Sequence, residues 1–361
     1  MIGWYIHHQG AGHLHRATTL AGALGEPVTG LSSLPRPGDQ WPGAWLQLAR
    51  DDDPAVHDDA DPTTAGALHW VPAHHPGLRR RMAQISSWIE ETNPRLMVVD
   101  VSVEVALLAR LHGVPVVTVA LPGDRRDPAH ELGYSVSSAI CGFWPPDAQD
   151  MVRGPAKLHA MGAVSRFSPA DTAPRSAPAP AEDPQRIVVL NGRGGGAVPV
   201  AALEAIRQGF PEAELTILGG ETGTDPSGTW VEDPWPHLQG ADVVITAAGQ
   251  NSVAEVAASR TPAVVVPLPR PHGEQEAMHR VLTRGPWPAV AAPQQHLPET
   301  WRRALHQAWR LNGADWARWC DGRTPARFAA LLENIPGAPQ AAGSAGLAAA
   351  ASGLREGAQI P

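Results

Sequence analysis

At 361 residues the chain exceeds what one hydrophobic core usually supports, and two units of about 150 residues fit its length. A net charge of −8 without a basic run argues against nucleic acid as the main partner, and two cysteines, Cys141 and Cys320, are too few for a disulfide framework or a zinc knuckle. The sequence shows no charged-then-apolar leader and no apolar run of the ~18 residues needed to cross a bilayer, so a reducing cytoplasm is the expected setting.

The first half alternates strands and helices. IGWYIH is a strand, followed by the glycine turn Gly10-Ala11-Gly12 and the helix HLHRATTLAGAL; PVTGLSS reads as a second strand. Residues 35–65 are dense in Pro, Gly and Asp without a period, so a loop is expected, with Asp51-Asp52-Asp53 as solvated charge. GLRRRMAQISSWIEET carries Met82, Ile85, Trp88 and Ile89 at helical spacing. RLMVVDV, EVALLARLHG and VPVVTVALPG continue as strand, helix and strand, a pattern that predicts an α/β fold with a parallel, doubly wound sheet.

A Pro/Ala-rich stretch at 166–185 is expected to link a first unit, residues 1–165, to a second at 186–335. The second opens with the strand RIVVLNG, a glycine loop reaching Gly196, and the helix VPVAALEAIRQGF; ELTILGG is its next strand. ADVVIT follows as a buried strand, then a turn at Ala248-Gly249, Asn251-Ser252 in N-cap position, VAEVAAS as a helix and AVVVPLP as a further strand. WRRALHQAWRLNG and PARFAALLENI read as closing helices, and residues 336–361 as a low-complexity tail.

Strand, glycine turn and helix start place backbone N–H groups at the carboxyl edge of a sheet, where they can hold a phosphate. Glu255, one helical turn in, is placed to bond a sugar hydroxyl pair beside it. The loop Asn191-Gly192-Arg193-Gly194-Gly195-Gly196 also lets backbone approach an anion closely, with Arg193 adding charge. The histidines suggest no metal site: His7-His8 on a strand would face opposite ways, His74-His75 sit beside prolines, and no pair has ligand spacing.

A glycine, Asn-Ser and a glutamate three residues on, followed by Pro262, Pro267 and Glu274-Gln275, resemble the donor-binding segment of GT-B glycosyltransferases. Gln9-Gly10-Ala11-Gly12-His13 with Arg16 is similar to the GxGHxxR element of the N-acetylglucosaminyl transferase group that builds the lipid-linked peptidoglycan precursor. The resemblance implies two Rossmann-like, doubly wound domains facing a cleft, an amino-terminal one for the acceptor and a carboxy-terminal one for a nucleotide-sugar, UDP-linked in that group. It assigns donor binding to Gly192, Arg193, Gly194, Gly195, Gly249, Asn251, Ser252, Glu255, Glu274 and Gln275, and an acceptor-side loop to Gly10, Gly12 and Arg16. The nucleotide-sugar is then a co-substrate, with no further cofactor and no metal. The acceptor is a small molecule or lipid-linked, and the protein is cytoplasmic or peripheral at the inner membrane surface. Where many members carry a basic side chain this chain has Ala247, and Arg270 or His272 is the expected substitute.

An inverting transfer needs a base for the acceptor hydroxyl, and a neutral imidazole suits that role, which singles out His13. His13 alternatively shapes the loop. Asp100, ending the strand RLMVVD, either orients His13 and stabilises its protonated form or caps the next helix through Ser102 and Val103. The GxGH element also occurs in nucleotide-sugar hydrolases. The alternatives are therefore a hydrolase in which His13 activates water, and a non-catalytic nucleotide-sugar-binding protein.

Overall fold

The computed structural model describes residues 1–9, 11–56, 61–169, 183–192, 196–220, 231 and 233–336. The first unit runs β1 (Ile2–Tyr5), α1 (Ala11–Ala21), β2 (Val28–Ser32), β3 (Ala44–Gln47), α2 (Pro76–Thr92), β4 (Leu96–Asp100), α3 (Val103–Leu111), β5 (Val116–Ala120), β6 (Gly123–Asp124), α4 (Pro128–Ser135), β7 (Ala139–Gly142), β8 (Val152–Arg153) and β9 (His159–Ala160). Seven of these strands form one parallel sheet in the order β3-β2-β1-β4-β5-β7-β9. Helices cover both faces of this sheet. Its central strands are therefore buried throughout, as the unbroken apolar run of Leu96–Val99 requires.

The second unit runs β10 (Arg186–Leu190), α5 (Val200–Gly209), β11 (Glu214–Leu218), α6 (Trp235–Gly240), β12 (Val243–Ala247), α7 (Gln250–Ser259), β13 (Ala263–Val266), α8 (Glu274–Arg284), β14 (Ala289–Ala291), α9 (Pro298–Trp309) and α10 (Thr324–Glu333). Its sheet is parallel, in the order β11-β10-β12-β13-β14. In each sheet the strand order reverses around the first strand, β1 or β10. The connections on its two sides diverge there and open a crevice at the carboxyl edge. The last helix, α10, packs back on the first unit, where Phe328, Leu332 and Ile335 join Ile2 and Trp4 in one core. A second core spans both units, setting Trp144 and Met151 beside Trp316 and Trp319. Among the described residues no helix is long and apolar enough to cross a membrane.

Three expectations need correction. Residues 35–65 contain β3, an edge strand with a short AWLQ period that the flanking Pro and Gly conceal. Asp51 is not solvated: it is 8% exposed and accepts from Arg81 Nη1 at 2.6 Å, with Arg81 itself on the buried face of α2. His7 and His8 lie beyond the end of β1, so strand alternation does not apply, and their rings stack 5.0 Å apart. Most of the linker (170–182) and the tail from 337 fall outside the described residues.

Candidate active site

Tyr5 of β1 lies opposite Val99 of β4, so the chain leaving each strand opens at one point of the sheet edge. After β1 comes α1, which carries His13 and Arg16 one turn apart and hence on one face; β4 ends in Asp100. His13 Nδ1 lies 3.0 Å from Asp100 Oδ1, and Arg16 Nη2 donates to both Asp100 oxygens at 2.7 and 2.8 Å. Asp100 is fully buried and Arg16 nearly so, while His13 keeps 17% of its side chain exposed. Burial acts to raise the Asp100 carboxyl, but Arg16 and then His13 outweigh it and hold the group well below the usual carboxylate range.

The ionised carboxylate decides the tautomer. Arg16 Nη2 also lies 3.1 Å from His13 Nδ1, but it already donates to both carboxylate oxygens. A ring proton on Nδ1, donated to Asp100, satisfies the carboxylate and leaves the Nε2 lone pair for the cleft; this tautomer is assigned from the hydrogen-bond pattern. Asp100 does not cap α3, because Ser102 does so by accepting from Val105 N–H at 3.2 Å. Val101, between the two, holds φ 62°, which a β-branched residue rarely adopts. Backbone strain of this kind persists where the surroundings over-determine it, often at functional turns.

The facing wall belongs to the second unit. Gly249, not Asn251-Ser252, is the N-cap of α7: its backbone is extended, while both polar residues already lie in the first turn. No side chain caps this helix start, so its leading N–H groups are left for an anion. Glu255 is 9% exposed and accepts from Arg166 Nε at 2.9 Å. Burial raises the Glu255 carboxyl, and Arg166 offsets this only in part. The walls touch through Arg16 Nη1, which donates to Gln250 Oε1 at 3.3 Å. They touch also at Gly12, where an added Cβ would lie 2.0 Å from Asn251 Nδ2.

Between the walls lies a cleft of about 270 Å³ lined by Gly12, His13, Arg16, Gly192, Gly249, Asn251, Ser252, Glu255, Glu274 and Gln275, so these expected site residues converge. Asp100 sits just behind His13. Glu274 is held in an ion pair with Arg125 of the first unit, and Gln275 Oε1 accepts from Leu268 N–H at 2.9 Å. Arg270 lines the cleft beside Gly196, whereas His272 turns toward Asp127 and His130 of the first unit. Gly10, Arg193, Gly194 and Gly195 lie outside the described residues. Sequence reasoning missed Arg166, Gln250 and Arg125. For Arg166 a signal existed, a basic residue at the edge of the linker; Arg125 announces nothing locally.

Residues 233–284 match the glycosyltransferase family 28 C-terminal domain. Over 106 residues the chain is 31% identical to the UDP-N-acetylglucosamine–N-acetylmuramyl-(pentapeptide) pyrophosphoryl-undecaprenol N-acetylglucosamine transferase of Rubrobacter xylanophilus, a match spanning 27% of this chain and 32% of that protein. Among solved structures, the glycotransferase of kitacinnamycin superposes with a TM-score of 0.62 at 19% identity, covering 92% of this chain and 97% of that one. MurG of Acinetobacter baumannii gives 0.59 at 17% identity, covering 92% and 99%. The spinosyn rhamnosyltransferase complexed with thymidine diphosphate gives 0.61 at 16%, covering 92% and 100%. The fold is GT-B.

Proposed function

We propose that this GT-B chain, whose second unit carries a family 28 C-terminal domain, is a glycosyltransferase moving a sugar from a nucleotide-sugar to an acceptor hydroxyl with inversion. The observation that carries the reading is the His13–Asp100 pair facing the uncapped start of α7 across one cleft. In the step itself, the acceptor oxygen bonds to the anomeric carbon as the bond to the diphosphate oxygen breaks. The hydroxyl proton passes to His13 Nε2, and Asp100 stabilises the imidazolium while remaining ionised. The leaving diphosphate takes the bond's electron pair. Its charge is met by the N–H groups of α7, by the glycine loop after β10 and by Arg270. Glu255 bonds a hydroxyl pair of the nucleotide's sugar.

The donor is proposed to be UDP-linked, after the Rubrobacter relative, although one structural neighbour holds thymidine diphosphate. The acceptor is a small molecule or a lipid-linked saccharide, and the setting is cytoplasmic or peripheral to the inner membrane. The test is nucleoside diphosphate release from a panel of UDP- and TDP-sugars, with and without acceptor hydroxyl compounds. Acceptor-dependent release is expected. Release at full rate in water alone would make the protein a hydrolase, and binding without release under every acceptor would make it a sensor.

A further inference from the structure

Outside the cleft, three histidines and one aspartate from three places in the chain meet where the two units touch. His69 lies ahead of α2, Asp127 is the N-cap of α4, His130 stands in that helix's first turn, and His272 precedes α8 of the second unit. Asp127 Oδ2 is 2.6 Å from His130 Nδ1, and Asp127 Oδ1 is 3.2 Å from His69 Nε2. His272 Nδ1 stands 3.8 Å from Asp127 Oδ2. Donor atoms of His69, Asp127 and His130 all fall within 4.8 Å of one another. Four donors placed 2.0–2.1 Å from a tetrahedral zinc are roughly 3.3 Å apart, and the three distances from Asp127 fall on both sides of that value, with His272 the ligand that must close in.

We propose that these four side chains bind one divalent transition-metal cation of the zinc class, tying the first unit to the second beside the cleft. Imidazole nitrogen with a single carboxylate is a donor set that suits zinc. His272 is delivered by backbone packing: a Cβ at Gly123, φ +105°, would lie 2.2 Å from its carbonyl oxygen. The adjoining ion pair of Arg125 with Glu274 holds the same loop. His130 reaches Asp127 from the first turn of α4 and His272 from the loop ahead of α8, so ligands from both units face one carboxylate. Arg125 Nη1, 3.5 Å from His130 Nε2, opposes a cation, but Glu274 neutralises it and Asp127 supplies the remaining negative charge. The histidines stand 61 positions apart (69 to 130) and 142 apart (130 to 272), unlike the short spacings of local zinc motifs.

The experiment uses the full-length, tag-free protein, stripped by chelator and dialysed, then titrated with zinc against a chromophoric competitor and with cobalt(II) by visible absorption. One zinc per chain, the intense visible bands of tetrahedral cobalt and a raised Tm are expected. His130→Ala and His272→Ala should each weaken zinc at least about tenfold, the lower end of what even an outer-shell partner is worth. Circular dichroism of both variants guards against unfolding as the cause. His8→Ala, which breaks the other histidine-aspartate cluster among the described residues (with Asp51 and Asp52), should bind as wild type. Absence of saturable zinc binding, or its loss on His8→Ala instead, would overturn the site. Wild-type affinity in His272→Ala would overturn the tie between the units.

Discussion

The two walls of the cleft are built on opposite electrostatic plans. The first-unit wall is side-chain chemistry: His13, Asp100 and Arg16 interlock with every contact at or below 3.1 Å, in a dry environment that keeps the carboxylate ionised. The second-unit wall is backbone chemistry: small residues at Ala247, Ala248 and Gly249 leave the start of α7 bare, with its partial positive charge open to the cleft. A proton acceptor needs a partner that fixes its tautomer, which a side chain supplies. A diphosphate needs several donors aimed at one place, which a helix start supplies without the entropy of ordering long side chains.

The difference predicts that damage to the first wall lowers turnover and damage to the second lowers affinity. The largest effect belongs to His13→Ala, expected to reduce kcat by roughly 10²–10⁴-fold with donor affinity almost unchanged. Asp100→Asn should lower kcat through the same step, so the double variant should be far less than multiplicatively worse. Full kcat in His13→Ala at saturating donor and acceptor would remove proton transfer from this wall. On the other side, Glu255→Ala should weaken donor binding by about 1.5–3 kcal/mol, the range for hydrogen bonds to a charged group. Calorimetric titration with the nucleotide-sugar reads it; wild-type affinity would leave Glu255 as no more than the partner of Arg166.

The same contrast explains what was legible in the chain. The second wall is written in consecutive residues, because β12, the turn and α7 form one βα unit whose apolar runs and glycine declare it. Only the cap was misassigned there, since Gly249 offers no side chain to signal its role. The first wall joins residues 87 positions apart, and nothing local says that Asp100 meets His13 rather than capping α3. The resemblance of the GxGH element supplied His13, and the strand-end place of Asp100 offered it as a partner or a cap; the pairing of β1 with β4 decides between the two. Contacts between units were invisible for the same reason: Arg16 with Gln250 and Arg125 with Glu274 span 234 and 149 positions.

Where the walls touch, Gly12→Ala sharpens the comparison. Its methyl would meet the far end of the Asn251 side chain at 2.0 Å, so the Asn251 amide must turn out of its place in the cleft. KM for the donor should worsen more than kcat, since the displaced amide belongs to the second wall, and in an Asn251→Ala background the added methyl should cost nothing further. Unchanged steady-state kinetics in Gly12→Ala would mean that the walls are free to part here.

A smaller effect concerns pH. Burial, with the neighbouring His13 and His8 adding to it, pushes His7 down to about 3 from an ordinary 6.5. The unfolded chain therefore binds the extra proton first, and this contribution to stability is complete above about pH 6.5 and is lost as pH falls from there toward 3. Tm measured from pH 8 to pH 4 should decline, and His7→Asn should flatten the decline. An identical slope in the variant would assign the acid sensitivity to other groups.

The smallest expected effect is on turnover when chelator is added, and it tests the second wall most directly. If backbone N–H groups and Arg270 meet the diphosphate charge, no cation is required there, and EDTA should change kcat/KM little. Among the described residues, the two clusters of His and Asp with metal-ligand spacing contribute no residue to this cleft. Stripping the cluster at Asp127 should thus register in Tm rather than in the rate. Turnover abolished by EDTA and restored by Mg²⁺ or Mn²⁺ would show that the diphosphate is met by a cation. The bare start of α7 would then be an auxiliary to that ion rather than the element that replaces it.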